Sequence, residues 1–192
     1  MEDQQIKLKI AKRYRYAENY KMSTRTAPDG TVTEIAEYIG DYLKALHTEE
    51  QYGNIRILSA ATGVISLCAV LTLLCVRSFS VYYAGMYVFV PITASLIPVL
   101  YLFLGIRKFP VEDRKLQEDT YRFAHVRVQR SSMGICVMLF TAALLTVIFF
   151  LTSGNALKAA DVLFFVLLLV PAVMNLVLFR KAGSLHYENS NL

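Results

Sequence analysis

The chain has 192 residues, a hydrophobic fraction of 55% and a net charge of +5. The apolar share exceeds the roughly 45–50% of ordinary soluble domains, so a single soluble globule is a poor fit. The positive charges flank apolar runs and are not interleaved with exposed aromatics, which excludes a nucleic-acid-binding stripe.

Residues 1–56 are polar, with nine Lys/Arg and nine Asp/Glu. In "KRYRYAENYKMS" (12–23) Tyr14, Tyr16, Tyr20 and Met22 alternate with Arg13, Arg15, Asn19 and Lys21. A period of two with aromatics predicts a strand. Pro28-Asp29-Gly30 offers a turn, and "TVTEIAEYIGDY" the returning strand. The expectation is a β-hairpin over about 12–39 and a short helix into the first apolar run. A rival pattern lies over the same residues. Thr31 and Glu34 fit a capping box, and Ile35, Tyr38, Ile39, Tyr42, Leu43 and Leu46 keep helical spacing.

Four apolar runs follow, about 57–76, 81–106, 131–152 and 162–179. Each is near the roughly 20 residues that cross 30 Å of hydrocarbon as a helix. None contains Asp, Glu, Lys or Arg, so none has the polar stripe of a soluble helix. The predicted fold is an all-α integral membrane bundle of four helices in two hairpins, a transmembrane domain over 57–181. The small N-terminal part precedes it, and a tail, 182–192, follows. Cys68, Cys75 and Cys136 lie inside the runs and read as small packing residues.

Charge gives the orientation. Residues 1–56, the loop 107–130 and Arg180-Lys181 hold eighteen Lys/Arg, against Arg77 and Lys158 in the other loops. By the positive-inside rule both termini are cytoplasmic. No cleavable leader precedes the first run, which acts as its own insertion signal. On the opposite side Phe79, Tyr82, Tyr83 and Tyr87 read as interfacial aromatics, and Asp161 as the N-cap of the fourth helix. On the cytoplasmic side Pro110, Glu112 and Asp113 predict that 110–130 is helical, with Leu116, Thr120, Phe123 and Arg127 along one face.

Two stretches share one spelling, "PVLYLFLGIRK" (98–108) and "PAVMNLVLFRK" (171–181). Each ends an even-numbered run with a proline, eight uncharged residues and Arg-Lys. Pro98 and Pro171, with the extra Pro91, are candidate kinks. Gly63 and Gly134 are candidate close-packing positions, and Asn175 a candidate for a hydrogen bond to a neighbouring helix. Arg107, Lys108, Arg127, Arg130, Arg180 and Lys181 are candidate contacts to lipid headgroups. The two hairpins read as parallel copies about an axis along the membrane normal.

The chemistry expected of an enzyme is missing from the pattern. His47, His125 and His186 have no metal-ligand spacing, and there is no phosphate loop or nucleophile elbow. No cofactor or metal is expected, and no catalytic residue. The expected partners are the bilayer and a membrane protein or second copy of the chain. The expected role is a non-catalytic accessory or scaffold subunit. The alternative is an oligomeric permease or channel for a weakly polar solute.

With "YRY" at Tyr14–Tyr16, "EYIGDY" at Glu37–Tyr42 and four spans behind them, the chain resembles small four-span membrane proteins of Gram-positive bacteria. The resemblance implies a bacterial plasma membrane. That group has no assigned activity, so it implies no site residues.

Overall fold

The computed structural model describes residues 20–26, 32–40, 42–45, 49–77, 79–83, 86–109, 115–154 and 158–190. Most of them are helical. Helix α1 spans Glu49–Cys75, α2 Met86–Ala94, α3 Leu96–Arg107, the short α4 Glu118–Tyr121, α5 Arg127–Ser153 and α6 Ala159–Gly183. Four helical stretches are long and apolar enough to cross a membrane, with α2 and α3 together forming the second.

The side chains are distributed inside out relative to a soluble bundle. Leu144, Leu151, Val90 and Ile97 are 61%, 79%, 66% and 62% exposed, whereas Ser59, Thr62, Ser66, Ser95, Ser132, Thr146 and Asn175 are buried. Aliphatic faces of that extent are tolerated against lipid, and polar side chains are then best turned inward. Most of the inward hydroxyls donate to a carbonyl one turn back in their own helix, as Ser59 does to Ile55 and Thr146 to Ala142. That bond lets a hydroxyl sit in an apolar bundle without a partner on another helix. Between them Val70, Leu73, Ile92, Leu102, Ile135, Leu139, Phe164, Leu168 and Leu178 form the fully buried core.

The four spans form a ring. The first packs on the second and fourth, and the third packs on the same two. The halves differ in one respect. The second span changes from α2 to α3 at Ser95, whose hydroxyl donates to Ile92, while the fourth runs unbroken through Pro171. Two prolines in the second span, Pro91 and Pro98, remove two backbone donors within two turns. The fourth loses one.

The remaining strands make this more than an all-α fold. Strands β1 (Tyr20–Thr26) and β2 (Val32–Tyr38) pair antiparallel, with Tyr20 opposite Tyr38 and Thr26 opposite Val32. The hairpin expectation therefore holds from Tyr20, and the capping-box helix is not formed. Residues 12–19 and the turn at Pro28-Asp29-Gly30 lie outside the described residues. The helical lead into the first span is present from Glu49, as the start of α1, but it is preceded by an unexpected strand, β3 (Tyr42–Ala45). A strand there has partners that no local pattern reveals. β3 is the centre of a three-stranded antiparallel sheet, between β4 (Lys115–Gln117) and β5 (Tyr187–Ser190). So part of the expected 110–130 helix is a strand, and part of the expected tail is β5. Because β3, β4 and β5 come from before, between and after the spans, those three segments meet at one end of the bundle.

Three smaller expectations change as well. Phe79 is 1% exposed and packs edge-on against Phe164 at 5.0 Å, so it is core and not an interfacial aromatic. Lys158 is the N-cap of α6, and Asp161 is its third residue, its carboxylate accepting from Lys158 N at 3.1 Å. Cys68 and Cys75 are exposed on the bundle's outside, and only Cys136 is buried.

Candidate functional site

The densest polar and aromatic chemistry lies where the sheet meets the bundle. Its frame is a turn of π-helix, Arg122–Val126, between α4 and α5. A π turn inserts a residue into the helical ladder and swings the following side chains about the axis, and such turns recur at functional sites. Here Gly105 of α3 lets the turn come close. A Cβ built on Gly105 would stand 3.0 Å from a Val128 methyl and 3.3 Å from the Ala124 carbonyl oxygen. Any larger residue would push α3 and the π turn apart.

On the inner side of that turn, His125 is 3% exposed. Its ring stacks on Tyr121 at 5.2 Å with 12° between planes and meets Tyr187 edge-on at 5.2 Å. The Tyr187 hydroxyl lies 3.5 Å from His125 Nδ1 and shares a hydrogen bond with the Tyr52 hydroxyl. Tyr52 in turn packs against Phe109 at 5.0 Å. Burial, reinforced by the neighbouring Tyr52, pushes the Tyr187 phenol above its ordinary range, so it stays a neutral donor. An imidazole and two phenols are thus hydrogen-bonded in a row across α1, the π turn and β5. Such a row ties three chain segments together through directional bonds. It contains no activated nucleophile.

The tyrosines of the ribbon extend this layer. Tyr20, Tyr38 and Tyr42 pack edge to face at 5.2 Å per step, and the Tyr38 hydroxyl accepts from Glu118 N at 3.1 Å. The β1–β2 ribbon is therefore fastened to the start of α4.

On the outer side of the π turn, Lys108 Nζ lies 4.6 Å from the centre of the Phe123 ring. The Arg127 guanidinium carbon lies 5.2 Å from that ring and 5.2 Å from Tyr101. Among the candidate headgroup contacts, these two meet aromatic faces. Arg107, Arg130, Arg180 and Lys181 are exposed.

The candidate packing positions fall elsewhere. Gly63 faces Phe103 and Leu102 of α3, with Phe103 Cζ 3.2 Å from a built Cβ. Gly134 faces Pro98 at 3.3 Å. One glycine thus works within a hairpin and the other between hairpins, so the two are not equivalent. Pro91 and Pro171 are buried inside α2 and α6. Asn175 Nδ2 donates to Ser66 Oγ of α1 and to the Pro171 carbonyl, both at 2.8 Å.

No family model, curated protein or solved structure matches this chain. The site therefore stands on its geometry. Sequence reading missed Gly105, His125, Tyr187, Tyr52 and the Ser66 acceptor. Only Gly105 had a signal, as a glycine in an otherwise bulky apolar run three residues before Lys108.

Proposed function

We propose that the chain is a multi-pass membrane protein acting as a non-catalytic accessory or scaffold subunit. Its sheet-bearing end lies in the cytoplasm and docks a partner. The observation that carries this reading is the cap itself. Three separate segments are gathered into one sheet and locked to the bundle by the Tyr52–Tyr187–His125 row, and the sequence stretches they belong to carry eighteen of the twenty Lys/Arg. A rigid platform over a four-helix anchor suits binding better than turnover. The platform also has unfilled capacity: β4 and β5 each pair on one side only among the described residues. An open edge accepts a strand from another chain.

The orientation follows from the same charge bias, and a bacterial plasma membrane from the resemblance of the N-terminal motifs. The test is isolation in mild detergent followed by stoichiometry. A partner that copurifies at a fixed ratio and is lost when Leu43 is replaced by Pro supports the reading, because proline removes the central strand's donor. A lone chain of unchanged composition sinks it. Cysteine labelling at residue 155 from outside intact cells checks the orientation, and labelling only after permeabilisation reverses it.

A second reading, a path for a weakly polar solute, draws on two fully buried atoms without a partner among the described residues, Thr62 Oγ1 and Asn175 Oδ1. Solute flux in liposomes that is abolished by Thr62→Val would favour it over the first.

A further inference from the structure

We infer that Lys108 and Arg127, organised by the Phe123 ring and Tyr101, form a binding site for the phosphate of an anionic lipid. The inference rests on the chain spanning a membrane, and not on the partner-docking role proposed above.

Two cations share one aromatic ring here, and no ion pair with a carboxylate is found for either among the described residues. Both charges flank one ring and so stand within about 10 Å of each other, and the ring's electron-rich faces offset only part of their repulsion. What completes such an arrangement is an anion that both can reach. Arg supplies a planar fork of donors for phosphate oxygens and Lys a point charge, a complementary pair for one headgroup.

Position selects the source of the phosphate. Tyr101 is 48% exposed and stands among apolar outward residues of α3, Leu100 at 58% and Leu104 at 48%. A ring at that depth belongs to the boundary where an acyl chain gives way to its headgroup. The apolar stretch that includes α5 runs from Phe123 to Ser153, 31 residues. That is longer than the roughly 20 needed to cross, so its first turns project into the headgroup layer. The cluster therefore sits where headgroup phosphate lies on one side and hydrocarbon on the other. A free phosphate ion would gain nothing from the hydrocarbon side.

The built element is the π turn. Phe123 lies within it and Arg127 directly follows it, and Gly105 brings it against α3, which carries Tyr101 and is capped by Lys108. The remaining candidates, Arg107, Arg130, Arg180 and Lys181, make an ordinary cationic belt that attracts any anionic surface.

The experiment is native mass spectrometry of the full chain reconstituted with phosphatidylglycerol or cardiolipin mixed with phosphatidylcholine. The expected result is retention of the anionic lipid about tenfold above phosphatidylcholine, lost in Lys108→Gln/Arg127→Gln. The pair Arg180→Gln/Lys181→Gln removes the same charge and should keep most of the preference. Equal loss in both pairs would reduce the site to bulk charge and overturn the inference. Phe123→Leu keeps every charge and should weaken retention several-fold, and no change there would also overturn it. Inorganic phosphate at millimolar concentration should not displace the lipid. Displacement would assign the site to a soluble anion instead. Each variant's melting temperature is compared with the parent's, so that a lipid loss in a folded protein is what counts. Failure of the parent itself to reconstitute would count against the membrane reading, whereas reconstitution without anionic preference would count against this site alone.

Discussion

The two ends of the bundle solve the same problem in opposite ways. At the far end, one buried carboxylate closes the structure. Asp161 accepts from Ser80 N at 2.8 Å, Ser80 Oγ at 2.9 Å and Lys158 N at 3.1 Å, while Phe79 fills the space against Phe164. That end spends its polar capacity on itself. The sheet end does the reverse. Among the described residues, β4 and β5 each pair on one side only, and Lys108 and Arg127 meet aromatic rings. The difference separates a closure made by one carboxylate from an end built of paired strands and stacked rings.

Breaking the closure should have the largest effect. Asp161→Ala strips three donors of one acceptor at a buried position, and an unpaired buried donor costs roughly 1–3 kcal/mol. A loss of about 3 kcal/mol is expected in detergent unfolding, because the three penalties are not additive. A melt within experimental error of the parent would remove the contrast between the ends.

Next comes Gly105→Ala at the sheet end. The added methyl meets Val128 at 3.0 Å and backbone at 3.3 Å, so about 1–2 kcal/mol of overpacking is expected. Gly53→Ala in α1 should move stability the other way by about 0.5 kcal/mol, since a methyl there meets nothing within 4 Å and Ala is the better helix former. Equal signs for the two would mean that α3 and the π turn are not in close contact.

A smaller effect should be confined to alkaline pH. Tyr187 has its phenol pKa raised by burial above the ordinary 10.0. The folded chain then holds a proton that the unfolded chain releases, so stability falls as pH rises above about 10. Tyr187→Phe should flatten that slope while costing about 1 kcal/mol at neutral pH through the lost hydrogen bonds. An unchanged slope would place the phenol in water and undo the row with Tyr52 and His125.

The smallest effect is expected mid-bundle. Asn175→Leu removes one interhelical bond to Ser66, but it also removes a carbonyl oxygen that has no partner among the described residues. Interhelical bonds in membranes average about 0.6 kcal/mol, so the net change should stay under about 1 kcal/mol.

The spans were legible because some twenty consecutive uncharged residues have few structural solutions. The closure at the far end was half legible. Asp161 advertised a helix start, but its reach to Ser80 depends on how two loops meet. The sheet was illegible for a physical reason. "KLQ" and "YENS" carry neither alternation nor β-branched enrichment, and each becomes a strand only because β3 supplies a partner edge. The π turn was hidden too, since a one-residue insertion leaves the helical spacing of Phe123 and Arg127 looking ordinary. His125 and Tyr187 lie 62 positions apart, and no pattern of local spacing predicts that they touch.

The three-segment sheet bears on how the chain is made. β3 is synthesised before the first span, β4 after two spans and β5 after all four. Its centre therefore waits with bare edges, and is completed only if every crossing has returned the chain to the side where it began. A helix inserted backwards, or one that fails to insert, would carry β5 to the wrong face and leave β3 exposed. The three-stranded sheet can therefore close only around a chain whose helices have brought all three segments to one end.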